Sequence, residues 1–302
     1  MFCRPKQARY NARPDAPDPI FAKQMPTHAA FFLAGGRRDD LCGLDRPVQP
    51  ARCPHTKKGR ATLRETPNIS VSVVVPALNE ERHLGNLLSD IERQTRRPQE
   101  VIVVDAGSED ATVAVAQEFA GVLVLRGERP VARGRNLGGL SASGEVVIFL
   151  DADVRLPEAF LERFVGDFTL RDLDVACPLY APRDSTPAVE RFHEIFNLTT
   201  RALEGVLPSG AGICVAVRGG LFRRSGGFDP RLKFDDIELI RRLSRGRRFG
   251  IVGEPVFVSD RRYRERGVSR TILEYALMAL LFALGRFSWA NLFDYEFGNH
   301  VY

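Results

Sequence analysis

ISVSVVVPALNEERHLGNLLSDI, residues 69–91, reads as a strand followed by a helix. Ile69–Val75 is a β-branched run that Pro76 ends, as expected of a buried strand. Asn79 then stands where a helix cap is needed, with Glu80 and Glu81 in a first turn where the helix dipole favours acids. Leu84, Leu87, Leu88 and Ile91 recur at i, i+3, i+4 and i+7, which predicts one buried stripe. The same grammar repeats downstream. Val101–Val104 predicts a second strand ending at Asp105, and Ser108 a cap for a helix with Glu109 and Asp110 in its first turn. Val122–Leu125 predicts a third strand and Arg135–Ser143 a helix; Val146–Leu150 predicts a fourth strand running into Asp151. Apolar strands alternating with helices predict an α/β protein with a parallel sheet covered on both faces. Its ligand belongs at the carboxyl ends of the strands.

Two common nucleotide-binding classes fall at this point. The first strand is followed by Pro76-Ala77-Leu78-Asn79-Glu80, without the glycines that let a pyrophosphate approach the first helix of a dinucleotide site. No Walker A loop is present either. What the fourth strand delivers instead is Asp151-Ala152-Asp153. Two carboxylates at i and i+2 on a strand's exposed end are hard oxygen ligands that suit Mg²⁺ or Mn²⁺ against a diphosphate. They equally suit a turn before Leu156-Pro157-Glu158, and residues alone leave both readings open.

Taken in order, VVVPALNEE (73–81), VIVVDAGSEDAT (101–112), ARGRNLG (132–138), VVIFLDADV (146–154), GGFDPRL (226–232) and DDIELIRRL (235–243) resemble the family 2 glycosyltransferases. The resemblance runs from about residue 69 to 270. It implies the GT-A fold, a Rossmann-like, mostly parallel central sheet flanked by helices. It also implies transfer of a sugar from a UDP- or GDP-sugar to an acceptor hydroxyl, with Mn²⁺ or Mg²⁺ as cofactor and inversion at the anomeric carbon. By the same resemblance Pro76, Ala77, Asn79 and Glu80 line the nucleotide pocket and Asp105 binds the uracil or ribose. Arg135 and Asn136 lie beside the nucleotide, Asp151 lies by the ribose and metal, and Asp153 ligands the metal. Asp236 matches the base that deprotonates the acceptor, with Asp235 as its competitor. Simpler readings stand beside these: Asp105 as a helix cap, Arg135 as a solvated helix charge, and Asp235-Asp236 as the cap of the following helix. A retaining relative that makes a sugar phosphoglycerate, and a nucleotide-sugar-binding module without turnover, are the alternative functions.

Two departures from the family pattern bear on substrate. Its processive members carry QxxRW and long transmembrane segments. This sequence shows neither, which favours addition of a single sugar. In the corresponding region stand Arg261-Arg262-Tyr263-Arg264, and Arg262 is placed to close over the diphosphate, as arginine matches phosphate oxygens in bidentate fashion. A solvated loop is the other reading. The apolar run Tyr275–Leu284 falls short of the ~20 residues needed to cross a bilayer. Residues 271–290 suit a helix packed on the sheet or at a homodimer interface. They also suit peripheral contact with a membrane beside a lipid or polyprenyl-phosphate acceptor.

Composition fixes the surroundings. The 302 residues are 44% hydrophobic and 27% charged, with net charge +5. That charge is confined to residues 1–68, which hold 13 Lys and Arg against 6 Asp and Glu, together with 9 of the 19 prolines. This segment reads as a disordered leader, either passive, targeting or partner-binding. The remaining residues balance at −2 by the same count, so no nucleic-acid partner is expected. The expected organisation is therefore a leader over 1–68, a glycosyltransferase domain over 69–270 and an apolar, aromatic tail over 271–302. The five cysteines form no CxxC, and Cys177 and Cys214 fall in apparent buried strands. That fits a reducing, cytoplasmic setting, at most peripheral on the inner face of a plasma membrane.

Overall fold

The computed structural model describes residues 69–183, 185–285, 287 and 289. The expected leader lies outside the described residues, as does most of the tail beyond 285. A seven-stranded sheet is built from β1 (Val71–Ala77), β2 (Glu100–Asp105), β3 (Val122–Arg126), β4 (Val146–Leu150), β5 (Val175–Arg183), β6 (Cys214–Arg218) and β7 (Phe249–Ser259). Its order is β3-β2-β1-β4-β6-β5-β7. Every pairing is parallel except those of β6, which runs antiparallel to both β4 and β5. The carboxyl ends of the other six strands therefore share one edge of the sheet with the amino end of β6.

Side chains alternate between two apolar layers, as the period of a strand requires. Val71, Val73 and Val75 pack with Leu84, Leu87, Leu88 and Ile91 of α1 (Leu84–Glu92) and with Phe160, Phe164 and Phe168 of α4 (Phe160–Leu170). Ala116 of α2 (Thr112–Gln117) joins this layer. Val74, Ile102, Val104 and Phe149 face the other way. They meet α3 (Val131–Ser141), α6 (Gly219–Arg224) and α7 (Asp235–Ser244). Both expected cysteines are buried and free, Cys177 in β5 and Cys214 in β6, in opposite layers. The chain is completed by α5 (Pro187–Ala202), α8 (Arg261–Arg266) and α9 (Val268–Ala283). No helix among the described residues is long and apolar enough to cross a membrane.

The structure departs from the expectation at Pro76, Asn79 and Ser108, and it starts α3 at Val131, one turn before the expected Arg135. Pro76 does not end the first strand but sits inside β1, paired opposite Val104. Val71 and Ala77 accept bonds from Gln99 and Ala106 on the β2 side, so the even-numbered residues of β1 face β4. Pairing with β4 stops at Val74, and Pro76 lies beyond it, so its missing N–H breaks no ladder bond. Neither Asn79 nor Ser108 caps a helix. Instead the Asn79 N–H donates to Ser108 Oγ, and Asn79 Oδ1 accepts from the Glu109 N–H, both at 2.8 Å. The Glu80 N–H donates to Thr112 Oγ1, and Glu81 exchanges bonds with the 110–111 turn. The loops after β1 and β2 are thereby locked together.

The glycines of ARGRNLGG also have a packing reason. A methyl group on Gly138 would collide with Val74, and one on Gly139 with Phe222. Lacking Cβ atoms there, α3 lies close on the sheet and carries Arg135 over the ends of β1 and β4.

Candidate active site

Arg135 is the centre of the edge. It is 3% exposed, which removes the reading of a solvated helix charge. Its Nη2 donates to Asp151 Oδ1 at 2.8 Å and its Nη1 to Asp235 Oδ1 at 3.0 Å. The guanidinium also lies 5.4 Å from the centroid of the Phe228 ring. Burial works against its charge, yet Asp235, Asp151 and Asp236 hold the proton on more firmly than in water. Two carboxylates thus bond one cation, and a third lies near enough to act on its charge.

Asp235 and Asp236 occupy the first turn of α7, whose cap residue is Phe234, and no side chain caps this helix. Asp235 is 1% exposed, and its Oδ2 is buried without a hydrogen-bond partner. Burial pushes its carboxyl up, Arg135 opposes, and the neighbouring Asp236 and Asp151 charges push further, to about 7. Burial likewise raises Asp236, against Arg135 and the Ile237 N–H. Asp236 keeps partial exposure and lies against Gly212, where a methyl group would collide with its carboxylate. Tyr180 O–H holds that loop by donating to the Ala211 carbonyl at 2.6 Å.

A pH dependence follows. Asp235 binds its proton more tightly folded than unfolded, where an ordinary value near ~3.9 applies. The resulting stabilisation is complete below about pH 4 and is lost as pH rises through about 7. Melting temperatures across that window should show the wild type losing stability relative to Asp235→Asn as pH rises. A constant difference would mean that Asp235 is already ionised throughout.

Asp105 ends β2 at 7% exposure, and its carboxylate accepts from the Gly107 and Ser108 N–H groups at 3.1–3.2 Å. With Gly107, Ser108, Val113, Gln117 and Arg126 it lines a cleft of about 410 Å³ between the ends of β2 and β3. Pro76 and Ala77 are buried at the end of β1, and Asn79 and Glu80 are half-buried beside them. Asn136 is engaged elsewhere: its Nδ2 donates to the Phe228 carbonyl at 2.9 Å and its Oδ1 accepts from the Phe228 N–H at 2.7 Å. It fixes the GGFD loop under Arg135, a role that sequence gave no sign of, since its partner lies 92 residues away. Arg262 lies in α8, and its side chain is outside the described residues.

Asp151 and Asp153 follow β4. The Asp151 N–H is bonded to the Ile213 carbonyl at 2.9 Å, and its side chain is 33% exposed. Among the described residues no group of three or more His, Cys, Asp or Glu side chains forms a metal cage. Asp151 and Asp153 are hard oxygen donors of the kind that hold a Mg²⁺- or Mn²⁺-type ion together with water and substrate phosphates, and Asp151 is at the same time bonded to Arg135.

The comparisons with known proteins agree with this architecture. The model of "Glycosyl transferase family 2" matches residues 72–225. An undecaprenyl-phosphate 4-deoxy-4-formamido-L-arabinose transferase of Pseudomonas fluorescens is 32% identical over 165 residues, half of this chain and 47% of that protein. The uncharacterized glycosyltransferase YfnE of Bacillus subtilis is 30% identical over 146 residues, 46% of this chain and 37% of that one. The chain thus spans less than half the length of these relatives. A mannosyltransferase from Pyrobaculum calidifontis, solved with GDP-Man and Mn²⁺, superposes with TM-score 0.55 at 24% identity, over 63% of this chain and 56% of that one. TarS of Staphylococcus aureus, solved with UDP, gives 0.52 at 18% identity over 63% and 60%. These likenesses establish the fold as GT-A. With more than half of its length matched by the family model, the chain belongs to glycosyl transferase family 2.

Proposed function

We propose that the protein transfers a single sugar from a UDP- or GDP-sugar to an acceptor hydroxyl, with inversion. The observation that carries this is the ring of Asp151, Asp235 and Asp236 around buried Arg135 at the sheet edge. The base and ribose of the donor lie in the cleft beside Asp105, on the locked loops after β1 and β2. Asp153 and Asp151 would hold Mn²⁺ or Mg²⁺, which when bound neutralises charge on the departing diphosphate. Asp236 takes the proton of the attacking hydroxyl. Burial raises its pKa, which makes it a stronger base than an ordinary carboxylate. Arg135 keeps the carboxylates of β4 and α7 in register, and Asn136 holds the loop beneath them. The family resemblance assigns Arg262 of α8 to the diphosphate.

One observation favours a second reading, in which the acceptor is a lipid phosphate and its ionised oxygen, not a hydroxyl, attacks. α9 buries Met278 and Phe282, while Leu273, Leu277, Leu280 and Leu284 form an exposed ridge at i, i+4, i+7 and i+11. Ile195 and Leu198 of α5 are exposed as well, and Phe192 of α5 stacks on Tyr275 of α9. Such a face suits the interfacial layer of a membrane. Relatives carry dolichyl phosphate and undecaprenyl phosphate in their names, which supports an acceptor of that kind.

A thermal-shift screen of UDP- and GDP-sugars, with and without Mn²⁺, tests the donor. A true donor at 100 times its Kd stabilises the fold by about 2.7 kcal/mol. The active pair is then assayed on soluble sugars and on polyprenyl phosphate in vesicles. If no nucleotide sugar moves the melting point, the reading fails. Stabilisation without turnover identifies a binding module, and a retained anomeric configuration identifies the retaining alternative.

A further inference from the structure

Asp90 is a charged side chain on the inner flank of α1, 4% exposed, one turn before the equally buried Gln94. A carboxylate in that position loses its hydration and is destabilising unless donors replace the water. Four donors do so, and three belong to the segment just past Asp151-Ala152-Asp153. Arg155 Nε and Nη2 donate at 2.5 and 2.8 Å, and the Leu156 N–H donates at 3.1 Å. Arg93 supplies the fourth at 2.7 Å. Burial alone would raise the Asp90 pKa, but the bonds from Arg155, Leu156 and Arg93 hold it below the ordinary carboxylate range. It is therefore ionised at neutral pH.

The same helix end grips the rest of the segment. Gln94 Nε2 donates to the Pro157 carbonyl at 2.7 Å, and its Oε1 accepts from the Leu161 N–H at 2.8 Å. The Thr95 N–H donates to the Glu158 carbonyl at 2.9 Å. On the opposite side Arg155 exchanges both main-chain bonds with Phe257 of β7, each at 3.0 Å. Residues 151–154 thus hang between two fixed points: Asp151, tied to Ile213, and Arg155, clamped between α1 and β7. Packing α1 against the sheet requires no charge at position 90, and an apolar residue would fill that flank without the loss of hydration. What the carboxylate adds is a fixed position for the guanidinium and main chain two residues past Asp153.

We propose that Asp90 is a positioning residue, which through Arg155 and Leu156 sets the reach of the Asp151 and Asp153 carboxylates at the sheet edge. This rests on the reading of those carboxylates as the donor-side ligands. Partners that orient a metal ligand from behind typically change affinity or rate by roughly 10- to 100-fold when lost. Asp90 acts on its ligands from a separate helix, through main chain.

The test compares wild type with Asp90→Asn and Asp90→Leu. Hydrogen exchange at the 151–156 amides and calorimetric Mn²⁺ binding in the presence of UDP or GDP are measured beside kcat and KM. Asn keeps one acceptor but places an N–H against the arginine, whereas Leu fills the flank without charge. Both variants should lose protection at 151–156 while the amides of β1 and β2 keep theirs. Mn²⁺–nucleotide affinity and kcat/KM should fall roughly 10- to 100-fold. Variants that melt lower but keep wild-type protection at 151–156 and wild-type Mn²⁺ affinity would show Asp90 to be merely structural. The exchange measurement needs no substrate, so it decides the positioning claim even if the donor assignment fails.

Discussion

Replacing Arg135 by methionine is expected to lower unfolding free energy by about 3–5 kcal/mol, the range for a buried ion pair deprived of one partner. For a body of this size that is a drop of roughly 6–20 °C in melting temperature. The side chain is 3% exposed and bonds Asp151 and Asp235, with Asp236 close by. Methionine fills similar volume, so the loss reports the orphaned carboxylates and not a cavity. Lysine should not rescue it, because one ammonium cannot reproduce two forked bonds to carboxylates on different elements. Part of the loss should return in Arg135→Met/Asp235→Asn, where one of the stranded charges is gone. Urea denaturation of the four proteins makes the comparison. A single-variant loss under about 1 kcal/mol would show that the carboxylates find water or protons easily, and that Arg135 does not hold the edge together.

Asp236→Asn should have the opposite sign on stability and a larger effect on rate. With a hydroxyl acceptor, removing the base is expected to lower kcat by roughly 10²–10⁴ while donor affinity changes little. The folded protein should become no less stable, since a carboxylate beside Asp235 is replaced by a neutral group of the same shape. Stability and activity would then move apart, as they do where a site is built against the preference of the fold. Acceptor chemistry sharpens the test. A polyprenyl phosphate already carries an ionised oxygen and needs no base, so its reaction should survive Asp236→Asn. A loss on hydroxyl acceptors alone supports Asp236 as the base. Full activity on hydroxyl acceptors would remove Asp236 from that role and turn attention to Asp235.

The frame of this site was legible in sequence because it rests on local pattern. The stripe of Leu84, Leu87, Leu88 and Ile91 is buried as its spacing predicts, and β4 spans the predicted Val146–Leu150 before the two aspartates. What escaped were bonds between residues far apart in the chain. Asn79 reads as a cap because its neighbours are acidic and a helix follows, yet its partner is Glu109, 30 residues on. Asn136 looks like a ligand-facing amide until Phe228 is found on both its ends. Asp90 did leave a signal, a carboxylate on the flank of an apolar stripe, where an isolated charge is rare without a partner. The identity of that partner was not legible, because Arg155 lies 65 residues away.

The reversed strand β6 ties the segment before it to the candidate active site. Because it runs against β4, it enters the sheet at the catalytic edge, and its first residue, Cys214, is pinned opposite Leu150. The segment before it is tied to the body along its length: Asn197 bonds both main-chain groups of Tyr180, Glu204 accepts from Arg171 and the Ile251 N–H, and the Pro208 carbonyl accepts from Arg241. That segment then ends at Gly212 against Asp236 and at Ile213 on Asp151, so it touches both pairs of aspartates of the candidate site. A change in that segment would therefore be felt at Asp236 through Gly212 and at Asp151 through Ile213.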